Sequence, residues 1–100
     1  MERSSECAAV MDQHLSAPWP ESLERGDEIG GLDLAMVDAD ISGWAMRAGS
    51  LTHDDRRALG DTCESLEDVL PLLPVEARAY FERLIQLGQM TLATRRASVE

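Results

Sequence analysis

The amino-acid sequence predicts an all-α protein, a small antiparallel three-helix bundle made of an αα-hairpin and one preceding helix. Three stretches carry apolar residues at the three- and four-residue spacing of an amphipathic helix. No stretch alternates β-branched or aromatic residues with polar ones, as a half-buried strand would. The four prolines all fall outside the three predicted helices or at their ends, where the ring does not interrupt a helix.

The first helix is predicted over residues 32–48. Its apolar seam steps by three and four residues through Leu34, Val37, Ile41, Trp44 and Ala48. Asp33 at the start and Arg47 near the end suit the helix dipole. Gly49 is expected to stop the helix, because glycine readily adopts the backbone conformation of a C-terminal cap.

The second helix is predicted over residues 53–70. Thr52 and Asp55 have the spacing of a capping box, with aspartate in place of the usual glutamate. Its seam runs through Leu59, Cys63, Leu66 and Leu70. Pro71 is expected to end the helix, since its ring clashes with the carbonyl four residues earlier.

The third helix is predicted over residues 74–94, starting at Pro74 and ending near Arg95 and Arg96. Its apolar stripe comprises Tyr80, Phe81, Leu84, Leu87, Gly88 and Thr91, widened by Ile85, Met90 and Leu92. The short link after the second helix makes these two helices antiparallel neighbours. The stripe is wider than two neighbouring helices require, and the surplus predicts a homodimer.

Residues 1–31 are interpreted as a partly irregular acidic segment, and residues 32–96 as the helical bundle domain. The start of the chain is either a short helix, with Cys7, Val10, Met11 and His14 along one side, or disordered. Two prolines then flank Trp19 and impose an extended conformation. Burial of Trp19 on the core is favoured over a free, partner-binding indole. Residues 21–31 are expected to be irregular because they hold three glycines.

The charge of the chain excludes several classes of partner. The formal net charge is −10, with nine basic residues against nineteen acidic ones. Direct binding to nucleic acid or to an anionic membrane is disfavoured, because both reward a basic surface. No apolar run approaches the length of a membrane span, and the amino terminus lacks signal-peptide features. These features predict a cytoplasmic protein whose two cysteines are free thiols.

No residue pattern indicates a catalytic, metal or cofactor site, so the sequence predicts a protein that is not an enzyme. His53–Asp54 lacks the further histidines that a metal-dependent hydrolase needs. Asp38 and Asp40 are two positions apart and therefore point in different directions from a helix. Cys63 on an apolar seam is expected to be a buried, unreactive thiol.

An acidic run from Glu21 to Asp40 is the one unusual feature. A solvated surface that keeps the protein soluble is the favoured interpretation, and a surface for a basic partner is the alternative. The candidate partner-binding residues are Trp19, Glu21, Glu24, Asp27, Glu28 and Asp33. The leading hypothesis is a non-enzymatic interaction module, acting as a regulator, adaptor or small subunit through helical surfaces. One alternative is an acidic inhibitor or immunity-type protein that neutralises a basic, nucleic-acid-binding partner. Another is a ligand binder or enzyme with a pocket at a dimer interface, lined by Trp44, Cys63, Tyr80 and Met90.

Overall fold

The computed structural model describes residues 5–94, and side chains from residue 8 onward. Within that range the α-helices are α1 (Ser5–Ser16), α2 (Leu34–Met46), α3 (His53–Val69) and α4 (Val75–Ala93). A two-stranded antiparallel hairpin, β1 (Glu28–Ile29) and β2 (Leu32–Asp33), leads into α2. Short 3-10 turns at Ala48–Ser50 and Leu70–Leu72 follow α2 and α3. The small all-α bundle is confirmed, with α1 as the short extra helix.

The helix starts follow the capping signals in the sequence. The side chain of Thr52 accepts a hydrogen bond from the Asp55 backbone N–H, and Asp55 accepts one in return from the Thr52 N–H. Asp33 caps α2 by accepting from the Met36 N–H at 3.1 Å. Each bond satisfies a backbone donor that has no partner inside its helix.

Two details of the predicted secondary structure are wrong. Gly49 does not end α2, which stops at Met46 and passes into a 3-10 turn closed by the Ser50 N–H and the Arg47 carbonyl. Residues 28–33 form a hairpin where no strand was expected. Its strands are two residues long, too short for an alternating pattern to be visible in the sequence.

Helix α4 lies at the centre of the bundle and contacts the other three helices. Because His14 contacts Tyr80 while Met11 packs near Leu87, α1 runs antiparallel to α4. The wide stripe that suggested a homodimer is thus partly covered by α1 of the same chain. The homodimer stays a prediction.

Two apolar clusters stabilise the fold. The main core joins α2, α3 and α4 and contains fully buried Leu34, Leu66, Phe81 and Leu84. It also takes in Leu23 from the segment before the hairpin. A separate small cluster, called here the satellite cluster, contains Met11, Ala45 and Leu87, with Val10 and Met90 packed against it.

Trp19 packs on the main core, as its flanking prolines and large apolar ring favour. Its ring meets Tyr80 and Phe81 edge-on, with centroids 5.6 and 5.8 Å apart. The indole N–H donates to the Leu23 carbonyl at 2.9 Å. The Arg25 guanidinium lies 4.6 Å from the indole centroid, within range of a cation–π interaction.

Helices α3 and α4 approach closely where Gly88 faces Cys63. A methyl group at Gly88 would overlap Cys63 Sγ and would also touch Ile41 and Leu59. About one turn closer to the C-terminus of α4, the Arg56 guanidinium donates to the carbonyls of Leu92 and Thr94. That interaction satisfies free carbonyls at the C-terminus of α4. The Arg95 and Arg96 positions lie outside the described residues.

Substituting Gly88 with alanine should destabilise the protein by about 1–3 kcal/mol, because the core must accommodate a methyl group where it is already filled. Gly43→Ala on α2 is the matched control, since nothing lies within 4 Å of its added methyl. That substitution should stabilise α2 by about 0.5–1 kcal/mol. Urea unfolding of the two variants gives both values.

The clash predicts energetic coupling with Cys63. Cys63→Ala removes the sulfur that the new methyl would meet, so the double variant should be more stable than the sum of the single effects allows. Strict additivity of Gly88→Ala and Cys63→Ala would contradict the proposed contact.

Candidate functional site

An open groove of about 380 Å³ lies between the hairpin, α2 and α3. Its lining comprises Gly31, Leu32, Asp33, Met36, Val37, Asp40, Asp61, Thr62 and Ser65. One face of α2 contributes Met36, Val37 and Asp40, because Asp40 lies four positions after Met36 and three after Val37. Asp61, Thr62 and Ser65 come from the facing turn of α3. We call this feature the acidic groove.

The hairpin contributes Gly31, Leu32 and Asp33 to the lining of the acidic groove. Gly30 and Gly31 form its turn with φ of 59° and 82°, a backbone that favours glycine. A Cβ at Gly30 would lie 2.8 Å from Val69 Cγ1, so only glycine lets the turn pack on the end of α3. The turn places Leu32 and Asp33 in the groove wall, and Asp33 also caps α2.

The groove combines negative charge with apolar surface. Carboxylates of Asp33, Asp40 and Asp61 line it, and within residues 5–94 its lining includes no arginine, lysine or histidine. Met36 contributes a side chain that is 60% exposed. Carboxylates accept hydrogen bonds from cationic groups, and a thioether adapts to irregular apolar ligands. The groove therefore suits a ligand that is both basic and partly apolar.

A second polar cluster, distant in sequence, joins three helices. His14 Nε2 on α1 donates to Asp38 Oδ1 on α2 at 2.6 Å. The Tyr80 hydroxyl on α4 donates to Asp38 Oδ2, also at 2.6 Å. The imidazole and phenol rings pack with centroids 4.7 Å apart. We call this the His14–Asp38–Tyr80 cluster.

The hydrogen bonds in this cluster favour the ionised carboxylate. Burial by itself raises the pKa of Asp38, but the bonds from His14 and Tyr80 and the electrostatic attraction of His14 and Arg25 outweigh it. The pKa of Asp38 therefore lies below its ordinary value of 3.8. Burial, together with the hydrogen bond and charge of Asp38, raises the pKa of Tyr80, so that the phenol remains a donor.

The arrangement resembles acid–base machinery in composition but is closed to substrate. His14 is 3% exposed and Tyr80 is 9% exposed. Within the described part of the chain, His14 Nδ1 has no hydrogen-bond partner. A general base must reach the proton that it removes, so the contacts assign this cluster a role in packing α1 against α2 and α4.

The structure distributes the sequence-predicted partner residues over several environments. Glu21, Glu24 and Glu28 are exposed. Asp27 accepts a hydrogen bond from the Glu24 N–H at 2.8 Å and so shapes its own loop. Asp33 lies in the acidic groove, whereas Trp19 is half-buried on the core.

The sequence interpretation missed both Asp61 as part of a site and the pairing of His14 with Asp38. Asp61 is one acid on a polar helix face, and only the antiparallel packing of α3 on α2 brings it near Asp40. His14 falls on the apolar side of a possible helix in the sequence, and that position is the available signal for its burial. Asp38 and Asp40 do point to different environments, as their spacing predicts.

In the single chain, the four residues of the hypothetical dimer-interface pocket are divided between the two apolar clusters. Cys63 and Tyr80 belong to the main core, while Met90 packs on the satellite cluster. Trp44 is half-buried against the main core. Burial and the charge of Glu67 raise the pKa of Cys63 to about 11, which suppresses the reactive thiolate.

Comparison with known proteins gives no assignment: neither a protein-family model, nor a curated protein, nor a solved structure matches the chain significantly. Among the described residues, no three His, Cys, Asp or Glu side chains are grouped so that they could hold a metal ion. In the same part of the chain, every helix is too short or too polar to cross a membrane.

Asp38→Ala should destabilise the protein by about 1–3 kcal/mol, because it leaves two buried donors without their acceptor. Asp40→Ala, an exposed neighbour on the same helix, should change stability by less than about 0.5 kcal/mol. Since the pKa of Asp38 is lowered in the folded state, its contribution is present above pH 3.8 and disappears as the pH falls through the folded-state value. The free energy of unfolding in urea, measured across that pH range, tests this role of the ionised carboxylate. A difference between wild type and Asp38→Ala that is the same at every pH would contradict it.

Cys63 should resist alkylation in the native protein, because its thiol is 4% exposed and its pKa is raised. Iodoacetamide labelling at mildly alkaline pH, read by peptide mass spectrometry, should modify Cys63 rapidly only after unfolding in urea. Equal labelling rates in the native and unfolded protein would show that this thiol is accessible.

Proposed function

We propose that this protein is a non-enzymatic protein-interaction module whose acidic groove binds a basic, partly apolar segment of a partner protein. The observation that carries the proposal is the union of Asp33, Asp40 and Asp61 with the exposed side chain of Met36 in one groove. Two helices and a hairpin build this surface, so a ligand meets a shaped wall and not a flexible tail.

The chemistry of the groove favours arginine and lysine side chains. A guanidinium can make two parallel hydrogen bonds to one carboxylate, and an ammonium can bond to several oxygens. The aliphatic stems of both residues can lie along Leu32 and Met36 while the charged heads reach the carboxylates. An apolar neighbour in the partner segment would complete the contact.

The charge of the whole chain supports the same partner class. A net charge of −10 attracts basic proteins over distance and raises their association rate at low salt. It repels phosphate backbones and anionic lipid surfaces. A partner that itself binds nucleic acid through the same basic segment fits this chemistry, and the bound module would then compete with nucleic acid.

The proposal is tested by affinity capture from a lysate of the source organism, with wild type beside a groove variant. The groove variant carries Asp40→Asn and Asp61→Asn and leaves Asp33 in place, because Asp33 also caps α2. The matched control carries Glu76→Gln and Glu82→Gln, two exposed acids on α4 that lie outside the groove lining. Both variants change the net charge by the same amount.

A true groove partner should be captured by wild type and by the α4 control but depleted with the groove variant. Calorimetry on the purified partner should then show affinity lowered about 3- to 30-fold by the two groove substitutions, the loss of two partly exposed charge pairs. Equal weakening by both variants would mean that net charge, not the groove, attracts the partner. Equal capture by all three proteins would contradict the proposal.

The acids that precede the groove are tested separately. Glu21→Gln, Glu24→Gln and Glu28→Gln together remove exposed charge without touching a helix cap. If these residues only steer the partner, the association rate should fall while the dissociation rate stays unchanged. A faster dissociation rate, measured by surface plasmon resonance, would place them in the contact itself.

A further inference from the structure

Helix α1 is held on the bundle differently from the other helices. Among the described residues, the main core draws its members from α2, α3, α4 and the loops, and none from α1. Helix α1 contributes instead Met11 to the satellite cluster and His14 to the bond with Asp38. Among the described residues, α1 therefore covers the main core at Tyr80, where His14 packs, but adds no member to that core.

Helix α1 has few buried side chains among those that the structure describes. Of its side chains from Ala8 to Ser16, Met11 and His14 are buried, Val10 is half-buried, and Leu15 is 56% exposed. A 12-residue helix is marginal in water when it is isolated. Segments with few buried contacts open locally while the rest of a protein stays folded, so α1 is the helix most able to leave.

The junction after α1 is fixed, which limits how far such an opening can spread. Trp19 is held by its aromatic contacts and by its bond to the Leu23 carbonyl. Pro18 and Pro20 flank Trp19 and prevent α1 from continuing as a helix into this segment. An opening that begins at the amino terminus therefore stops before Trp19, and the indole ring stays on Tyr80 and Phe81.

The surface beneath α1 has a defined chemistry. Ala45, Leu87 and Met90 form its apolar part, and the Asp38 carboxylate with the Tyr80 hydroxyl forms its polar part. We call these five residues the α1 seat. Helix α1 fits it with an apolar residue, Met11, and a hydrogen-bond donor one turn later, His14.

We infer that α1 can leave the α1 seat while the rest of the protein stays folded, and that the seat then binds an amphipathic helix of a partner protein. That helix presents an apolar side chain and, three positions later, an imidazole or other cationic donor to Asp38. The requirement for a donor follows from the seat itself, because a buried carboxylate without a partner is costly. This surface is separate from the acidic groove between α2 and α3, so the inference does not depend on the proposed function.

Hydrogen exchange on the full chain tests whether α1 opens independently. The α1 amides should exchange by local opening, well before those of α3 and α4. His14→Ala should increase the opening of α1 about 10- to 100-fold, the loss of a charge-assisted bond. Leu66→Ala, in the main core, should instead accelerate exchange of the core amides of α3 and α4 and leave the opening of α1 nearly unchanged. Gln13→Ala, on an exposed position of the same helix, should change neither rate substantially. Exchange of α1 only with global unfolding would overturn the inference.

A peptide of this chain's residues 5–16, with Cys7→Ser to prevent oxidation, then probes the seat. Added to the full-length His14→Ala protein, it should shift the methyl signals of Leu87 and Met90, and it should bind wild type more weakly because native α1 competes. The same peptide with His14→Ala should bind about 10-fold more weakly or worse. If the full-length His14→Ala protein unfolds with lower cooperativity than wild type, the full-length Met11→Ala protein is used as the binding target for the peptide. Absence of saturable shifts in a folded variant would overturn the inference, whatever the acidic groove binds.

Discussion

The burial of α4 is the constraint on which the rest of the structure depends. Its buried face, which runs from Ala77 to Thr91, is broad and contacts all three other helices. Helices α2 and α3 bury the broad side around Phe81 and Leu84, while α1 and Trp19 cover the side around Tyr80 and Leu87. The small residue Gly88 allows α3 to approach closely at Cys63. The positions of the acidic groove and the α1 seat follow from this central placement.

The two polar sites differ in their access to water, and that difference separates their roles. In the His14–Asp38–Tyr80 cluster, the hydrogen bonds hold an ionised carboxylate between helices, and the low exposure excludes substrates. In the acidic groove, Asp40 and Asp61 remain exposed and can exchange water for a ligand. A charge of this kind contributes selectivity and association rate more than folding stability.

The two proposed binding surfaces share one helix. The acidic groove lies between α2 and α3, and the α1 seat is formed by α2 and α4, so helix α2 contributes to both. Asp38 faces the seat and Asp40 faces the groove, two positions apart on that helix. Occupants of the two surfaces would therefore contact one rigid element from different sides.

The sequence by itself determined the local features: three helices with their seams, the Thr52–Asp55 capping box, the buried thiol of Cys63 and the excess of acidic charge. Each depends on spacing within one segment, and helical periodicity reports it directly. Only the tertiary structure decided that α1 is ordered, that His14 meets Asp38, and that Asp40 and Asp61 share a groove. These pairings join residues on different helices, and no local pattern records which polar faces become neighbours when the apolar faces pack.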